Sequence, residues 1–567
     1  MAASLEAPAV SSLWLAALFL GPAVHVSSLG LRLDRHAWTV VRIGSSVILL
    51  SLLAFIPSLG VIASVQNVLL FAAAFLVSFF VSVAIYRLFF SPIRHFPGPW
   101  QAALTSFYRV FVSIGTNLRL FTKVEELHKQ YGDYVRVGPR EISILNPAAI
   151  PLLYGSKTRC KRGPWYDHIS GEEEDKHVLA VTDPVTHSRW RKVLDRGLST
   201  LAAYEVRIQD TVDSFVEALA ARAGSPINMT DWVNFFSFDA MGRISYSTDF
   251  GMLKRGEGTV EVDGRSTSLK VLHEAMKALG LLGPVPWLFR MIGQAGGGGE
   301  INTFFDWCYQ AMQLKQRPAN LFPGTQTFNA ATDTPTDIAS WILAGQHATP
   351  DPSKRQSQRS LENTSSLLIL AGSDTAASAI TNALFYLTRS PSVRAKLRAE
   401  LDALPTPASL RSLASVRYLD HVINETLRLK PPAVEGLGRE TPAEGLALPD
   451  GAPFIPGGTV VAVPTWALHR DARFWGPDAG EFRPDRFERV DLTGETLPFI
   501  PFTRGACTCP GKQLAYVEMR AVIAAVVRRF DWEFAEGQGA REFDEGCVDS
   551  FTLMNPPLML VLSKRDG

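Results

Sequence analysis

From Ile43 to Tyr86 the chain carries no charged residue and no histidine. As a single helix this run would be about 66 Å long at 1.5 Å per residue, roughly twice the hydrocarbon core of a bilayer. It is therefore expected to fold as two membrane spans, broken near Pro57, Ser58 and Gly60. Ahead of it, Ala7 to Leu31 lacks Asp, Glu, Lys and Arg and forms a weaker first candidate, interrupted by Pro22 and His25. Arg32, Arg35 and Arg42 separate the first candidate from the second, and Arg87 and Arg94 follow the third. The positive-inside rule puts both basic flanks in the cytosol when all three candidates span. A cleaved signal peptide fits less well, because Glu6 and no basic residue precede the first apolar run. The expected layout is an anchor over 1–90 with two or three transmembrane helices, a hinge over 91–100, and a large domain over 101–567. The hinge, "SPIRHFPGPW", has three prolines and a glycine and cannot continue a helix.

Over the whole chain the charges nearly cancel, 56 basic residues against 55 acidic. That balance gives no field for nucleic acid and no acidic tail. The five cysteines, Cys160, Cys308, Cys507, Cys509 and Cys547, are too few and too scattered for a disulfide framework. They suit a reducing compartment.

Helical patterns dominate the large domain, at 120–131, 187–199, 204–223, 361–389, 391–402 and 416–430. The β-like pieces "DYVRVG", "EISILN" and "GTVVAVP" are short. Segments 293–300 and 345–360 read as loose, from their glycine and polar content. "GPVPWLFRMIG" at 283–293 is apolar and broken by proline, and suits either core or a second membrane-dipping patch.

Four stretches carry chemistry. "LLILAGSDTAASAI" places Gly372, Asp374 and Thr375 inside an apolar helix. There a glycine costs about 1 kcal/mol relative to alanine, and a carboxylate costs desolvation unless it is hydrogen-bonded. A groove with a proton relay and a simple back-bonded Asp–Thr pair both account for it. In "NETLRLKPP", Glu425 and Arg428 are three apart and share a helix face. "FRPDRFE" contributes Arg486. "PFTRGACTCPGKQLAYVEMR" sets Cys507 and Cys509 in a Gly/Pro-rich turn ahead of a helix.

In this order and spacing the four stretches resemble the cytochromes P-450, the haem-thiolate monooxygenases, over about residues 96 to 565. The resemblance implies a mainly α fold with a small β portion, preceded here by the N-terminal transmembrane helices. It also implies a haem b cofactor. The family's F-x-x-G-x-R-x-C-x-G loop, with an alanine four residues on, matches at Phe502, Gly505, Cys509, Gly511 and Ala515. Cys509 is thus expected as the axial thiolate of the haem iron, with Phe502 over the sulfur side of the ring. Thiolate ligation favours O–O cleavage, and loop amides stabilise the sulfur's charge. The usual arginine is replaced by Cys507, which leaves one haem propionate short of a cation; Arg504 is a candidate substitute.

By the same resemblance, Thr375 would hydrogen-bond dioxygen, Asp374 would deliver protons, and Gly372 would leave space for the diatomic. Glu425, Arg428 and Arg486 would form a buried triad behind the haem. Arg191 matches a propionate arginine, with His187 four residues before it where tryptophan is commoner, and Arg439 in "GLGRET" matches another. Electrons would come from NADPH through a separate cytochrome P-450 reductase, with cytochrome b5 as a second donor. Arg189 and Lys192 are candidates to face that acidic partner.

The expected reaction inserts one atom of O2 into a small apolar molecule of secondary metabolism, a terpenoid, an alkaloid or an aromatic. Two alternatives are a haem-thiolate isomerase or dehydratase that uses no O2, and a non-enzymatic membrane haem-binding protein. The intact Asp374–Thr375 pair favours the oxygenase. The expected location is the endoplasmic reticulum membrane, multi-pass, with the large domain in the cytosol.

Overall fold

The computed structural model describes residues 9–169, 172–317, 327–405, 408–449 and 451–565. Three apolar helices come first: α1 (Ala9–Ser28), α2 (Ala37–Leu59) and α3 (Val61–Ile85), the last extended by a wider turn over Tyr86–Phe90. The break between α2 and α3 falls on Gly60 alone, at φ +74°, a value that suits glycine and few other residues. Pro57 does not break the run as expected and stays inside α2. Pro22 likewise sits within α1. Packing of α1 along α3 centres on His25, whose Nδ1 lies 2.8 Å from Ser82 Oγ and whose ring meets Phe79 and Tyr86 edge-on. No residue of α2 is fully buried: it touches α3 and the helix Pro286–Gln294, and most of its apolar surface stays exposed. These apolar helices point to membrane anchoring.

The hinge is held by a single arginine. Arg136, on the strand Tyr134–Gly138, is buried and donates to the Arg87 carbonyl and Ser91 Oγ, while its own N–H bonds the Pro97 carbonyl. A methyl group on Gly98 would come within 2.4 Å of the Arg136 carbonyl, so the hinge lies flat on the strand.

The large domain is built around one helix, Gln358–Arg389, capped by the Ser357 hydroxyl accepting from the Ser360 N–H. It is long and apolar enough to cross a bilayer, yet most of it is buried in protein. Helices Leu201–Ala220, Met229–Tyr246, Arg417–Leu429 and Lys512–Arg529 supply much of the core around it. A five-stranded sheet lies to one side, in the spatial order Tyr134–Gly138, Glu141–Ile144, Val460–Ala462, Arg439–Glu440, Lys161–Arg162. Only the Glu141–Ile144/Val460–Ala462 pair in it is parallel. A three-stranded sheet joins Pro226–Asn228, Met559–Lys564 and Phe530–Phe534.

Segment 283–293, expected as either core or a membrane-dipping patch, buries Val285 and then forms the helix Pro286–Gln294, whose residues are half-buried or exposed. Two expectations shift. The loose stretch at 293–300 is only a turn before the helix Gly299–Gln316. That at 345–360 contains the end of the helix Ile338–His347, the short turn Pro352–Lys354 and the start of the central helix.

Glu518, inside the helix Lys512–Arg529, is buried and its Oε1 has no hydrogen-bond partner among the described residues. Burial pushes its carboxyl up to about 8, so it is protonated at neutral pH. The unfolded chain ionises near 4.5. Stability is therefore lost as pH rises from there through the folded value. Glu518→Gln removes this loss. The variant is expected to melt above the parent, with the gap widening by on the order of 1–3 kcal/mol between pH 6 and pH 8 in thermal denaturation.

Candidate active site

The central helix presents one face that protein does not cover. Ala371 is exposed and Leu367, Leu370, Asp374 and Thr375 are half-buried, while Leu368, Ile369, Ser373 and Ala376 between them are buried. Positions 367, 370, 371, 374 and 375 follow helical spacing along one side. Thr375 Oγ1 donates to the Ala371 carbonyl at 2.8 Å, which satisfies the hydroxyl within the helix. Gly372 has a packing reason: its missing Cβ would stand 2.6 Å from Met241 Cε and Sδ. The glycine lets the helix Met229–Tyr246 close onto the central helix.

Asp374 meets a residue that no motif singles out. His273 Nε2, from the helix Leu269–Leu282, lies 3.4 Å from Asp374 Oδ1. Both border a polar cavity of about 120 Å³, shared with Asp231, Asn234 and Thr381. Thr381 Oγ1 is buried without a hydrogen-bond partner among the described residues, as expected beside a space for a few waters. Burial opposes charge on His273. The hydrogen bond to Asp374 and the charges of Asp374 and Asp231 outweigh it, and its pKa stands above 6.5.

The cysteine loop is locked by backbone contacts. The Cys509 N–H donates to the Phe502 carbonyl at 2.9 Å, and the Thr508 N–H to the Gly505 carbonyl at 3.1 Å. Gly505 has φ +64°, and a Cβ there would come 2.2 Å from the Tyr154 carbonyl, so two segments touch at a residue that must be glycine. Burial pushes the Cys509 thiol up, while the Gly511 and Lys512 amides and Arg191 favour its thiolate. Phe502 lies half-buried beside this loop, its ring 5.6 Å from that of Tyr516.

Around the loop gather three arginines, of which only Arg191 has a carboxylate partner among the described residues. Arg162 and Arg439 are direct partners across the antiparallel pair Lys161–Arg162/Arg439–Glu440. Arg439 is buried over the Tyr154 ring. Arg162 donates to the Val178 carbonyl at 2.9 Å and places Nη2 3.9 Å from Cys507 Sγ. Arg191, from the helix Pro184–Ser199, donates to the Thr508 carbonyl and to Asp195, both at 2.6 Å. His187 sits among all three: burial first, then Arg162, Arg191 and Arg439, press its imidazole down to about 4. Cys507 and Tyr166 are the main negative partners of Arg162, and Tyr166, Tyr154 and Cys507 those of Arg439; neither arginine forms an ion pair with a carboxylate among the described residues. The cation beside Cys507 is thus Arg162 and not Arg504.

The triad residues do meet. Arg428 is fully buried and spends five N–H donors on the two Glu425 oxygens and the carbonyls of His469, Ala479 and Glu481. Arg486 reaches Glu425 at 3.5 Å and Asp478 at 3.1 Å.

The sequence matches the family described as Cytochrome P450 over residues 99–562. The chain belongs to the cytochrome P450 family. It is 36% identical over 493 residues to the cytochrome P450 monooxygenase orf5 of Eupenicillium brefeldianum, covering 86% of this chain and 95% of that one. It is 33% identical over 503 residues to the monooxygenase FCK2 of Fusarium pseudograminearum, covering 87% and 86%. It is 32% identical over 515 residues to the tryprostatin B 6-hydroxylase of Aspergillus fumigatus, covering 88% and 86%. This P450 is a monooxygenase. Membership implies a haem, and these residues fit one. Arg162 faces Arg439 across two strands, a repulsion that calls for an anion. Beside them lies a buried thiol with two amides directed at it.

Two predictions arise. Gly505→Ala is expected to lower stability by roughly 2 kcal/mol or more, through backbone strain and the clash with Tyr154, measured by thermal melting. The stabilisation lent by the His273–Asp374 pair is complete below pH 6.5 and is lost as pH rises through the higher folded value. Asp374→Asn should return the His273 titration toward 6.5, read by histidine C2 hydrogen exchange in mass spectrometry.

Proposed function

We propose that this P450 is a membrane-anchored haem-thiolate monooxygenase of fungal secondary metabolism, with Cys509 as the axial ligand of the haem iron. The observation that carries the site assignment is the group of Arg162, Arg191 and Arg439 around the Cys509 loop, lacking carboxylates on Arg162 and Arg439. Those three arginines would take the two haem propionates, with neutral His187 as a hydrogen-bonding neighbour, and Arg162 would do the work of the arginine replaced at 507. A haem ligated by thiolate supplies activation of O2 for insertion of one oxygen atom into a C–H bond.

The chain's own residues then have separable tasks. The amides of Gly511 and Lys512 hold negative charge on the sulfur. Phe502 covers the loop, and Gly505 lets it close on Tyr154. Asp374 takes protons from His273 and the polar cavity and presents them to Thr375, whose hydroxyl turns from the Ala371 carbonyl toward the open face. Gly372 keeps that face at a fixed height by tight packing on Met241. The triad of Glu425, Arg428 and Arg486 supports the fold behind the site, since breaking a buried pair costs roughly 3–5 kcal/mol.

Electrons would come from a separate NADPH–cytochrome P450 reductase. An apolar substrate, with alkaloids among the first candidates, is supported by the similarity to a tryprostatin B 6-hydroxylase and by the apolar residues Leu367, Leu370 and Ala371 on the open face of the central helix. A three-span anchor on the endoplasmic reticulum, with the catalytic domain in the cytosol, is supported by where the basic flanks lie: Arg32, Arg35 and Arg87 all sit against the catalytic domain, at the opposite end of α2 and α3 from Gly60. The layout 1–90, 91–100 and 101–567 follows from this reading.

Membranes holding the parent chain are expected to give a carbon monoxide difference band near 450 nm. Cys509→Ser should abolish that band while Cys507→Ser keeps it. A band surviving in Cys509→Ser overturns the ligand assignment.

A further inference from the structure

The loop between α1 and α2 does not hang free in solvent. Arg35 donates to Asp167, Arg32 Nη2 lies 3.8 Å from the same carboxylate, and Asp34 Oδ2 is 3.1 Å from His168 Nε2. Asp167 and His168 are buried, and Lys176 Nζ holds the other Asp167 oxygen at 3.2 Å. The anchor therefore grips the short turn Pro164–Asp167 of the catalytic domain.

That turn carries Trp165, whose ring stacks on Phe551 at 4.8 Å with 13° between the planes. Phe551 is one of the few non-glycine residues at positive φ, +75°, a conformation that a bulky side chain keeps only when its surroundings enforce it. Here the Asp549 carboxylate accepts its N–H at 3.0 Å. Two residues on, the Leu553 carbonyl accepts from Ser378 Oγ at 2.7 Å. Ser378 lies within one turn of Thr375 on the central helix.

Trp165 and Phe551 line a cavity of about 1220 Å³. Its walls come from both parts of the chain: Leu29, Phe79 and Val83 from the anchor, and Phe121, Val434 and Trp287 from the catalytic domain. The helix bearing Trp287 has no buried residue, and Trp100, Phe111 and Ile114 nearby in sequence to the hinge are exposed. Half-buried and exposed apolar residues beside the apolar N-terminal helices suit contact with lipid.

We propose that the α1–α2 loop takes part in substrate admission. Through Arg32, Asp34 and Arg35 it holds Trp165 against Phe551, closing a vestibule, shared by anchor and catalytic domain, that receives neutral apolar ring compounds dissolved in the bilayer. The inference rests on the monooxygenase reading for what lies beyond the aromatic pair. A bulky ligand must displace the Trp165 turn to pass inward, and the ion pairs set how readily the turn moves. A small water-soluble ligand has no need of this route.

The test uses the full-length haem-loaded protein in lipid nanodiscs and stopped-flow absorbance at the Soret band. Clotrimazole serves as the bulky apolar nitrogen ligand and imidazole as the small polar one. Arg35→Ala is expected to speed clotrimazole association and dissociation together by about fivefold, the scale of one weak ion pair, with little change in affinity and none in imidazole rates. Trp165→Ala should do the same, and the double variant should add little to either, because both act on one closure. Unchanged clotrimazole rates, equal acceleration of imidazole, or fully additive effects would each overturn the proposal. If the parent gives no Soret shift even with imidazole, the haem reading itself fails and the proposal with it.

Discussion

Like charges brought together in a protein interior repel strongly, and the structure depends on how that repulsion is met. Arg162 and Arg439 face each other across two strands, and Arg191 approaches from a helix, with His187 held neutral between them. Tyr154 and Tyr166 soften the charge through their ring faces. Neither ring is an anion, so the cluster is a site made for one. The sheet, the helix Pro184–Ser199 and the cysteine loop are all oriented by the same demand. A bound haem would contribute to stability as well as to chemistry, since a ligand that binds only the folded chain stabilises it.

The central helix resolves a second conflict. It must be apolar enough to run through the core and polar enough to bring a carboxylate to a reaction centre. It does so by confining its polar groups to defined partners: Thr375 to its own backbone, Asp374 to His273, Ser378 to the Leu553 carbonyl. Asn382 follows the same pattern with Asn555. Arg428 shows the extreme case, a fully buried guanidinium tolerated because each donor is used.

The anchor and the catalytic domain are coupled by charge at two places. Arg136 fastens the hinge to a strand, and the α1–α2 loop fastens to the turn that bears Trp165. α3 packs against α1 and α2 and still leaves much apolar surface exposed, and the basic residues flanking these helices have protein partners. The same few arginines thus tie the apolar N-terminal helices to the rest of the chain.

Local features were legible in the sequence because their causes are local. An uncharged run longer than a bilayer is thick, a glycine required at 505, a cysteine spaced from Phe502 and Gly511, and an E-x-x-R pair on one helix face all act within a few residues. Gly60 was readable as a break, but Pro57 was not, because a proline in lipid-facing helix can be accommodated once the chain turns elsewhere. Which cation stands beside Cys507 was not readable: Arg162 comes from 345 residues away, and only strand pairing brings it there. His273 stands 101 residues from Asp374 and carries no motif. The apolar stretch at 283–293 had the composition of core, yet the helix it forms has no buried residue, since burial is decided by neighbours and not by composition. The chain alone thus pointed to its class, through the resemblance its ordered motifs carry, and to its apolar N-terminal helices, through hydropathy. The cluster of arginines, the His273–Asp374 contact and the seam between the N-terminal helices and the large domain were decided by tertiary structure, because each is a contact between segments whose separation along the chain says nothing of their distance in space.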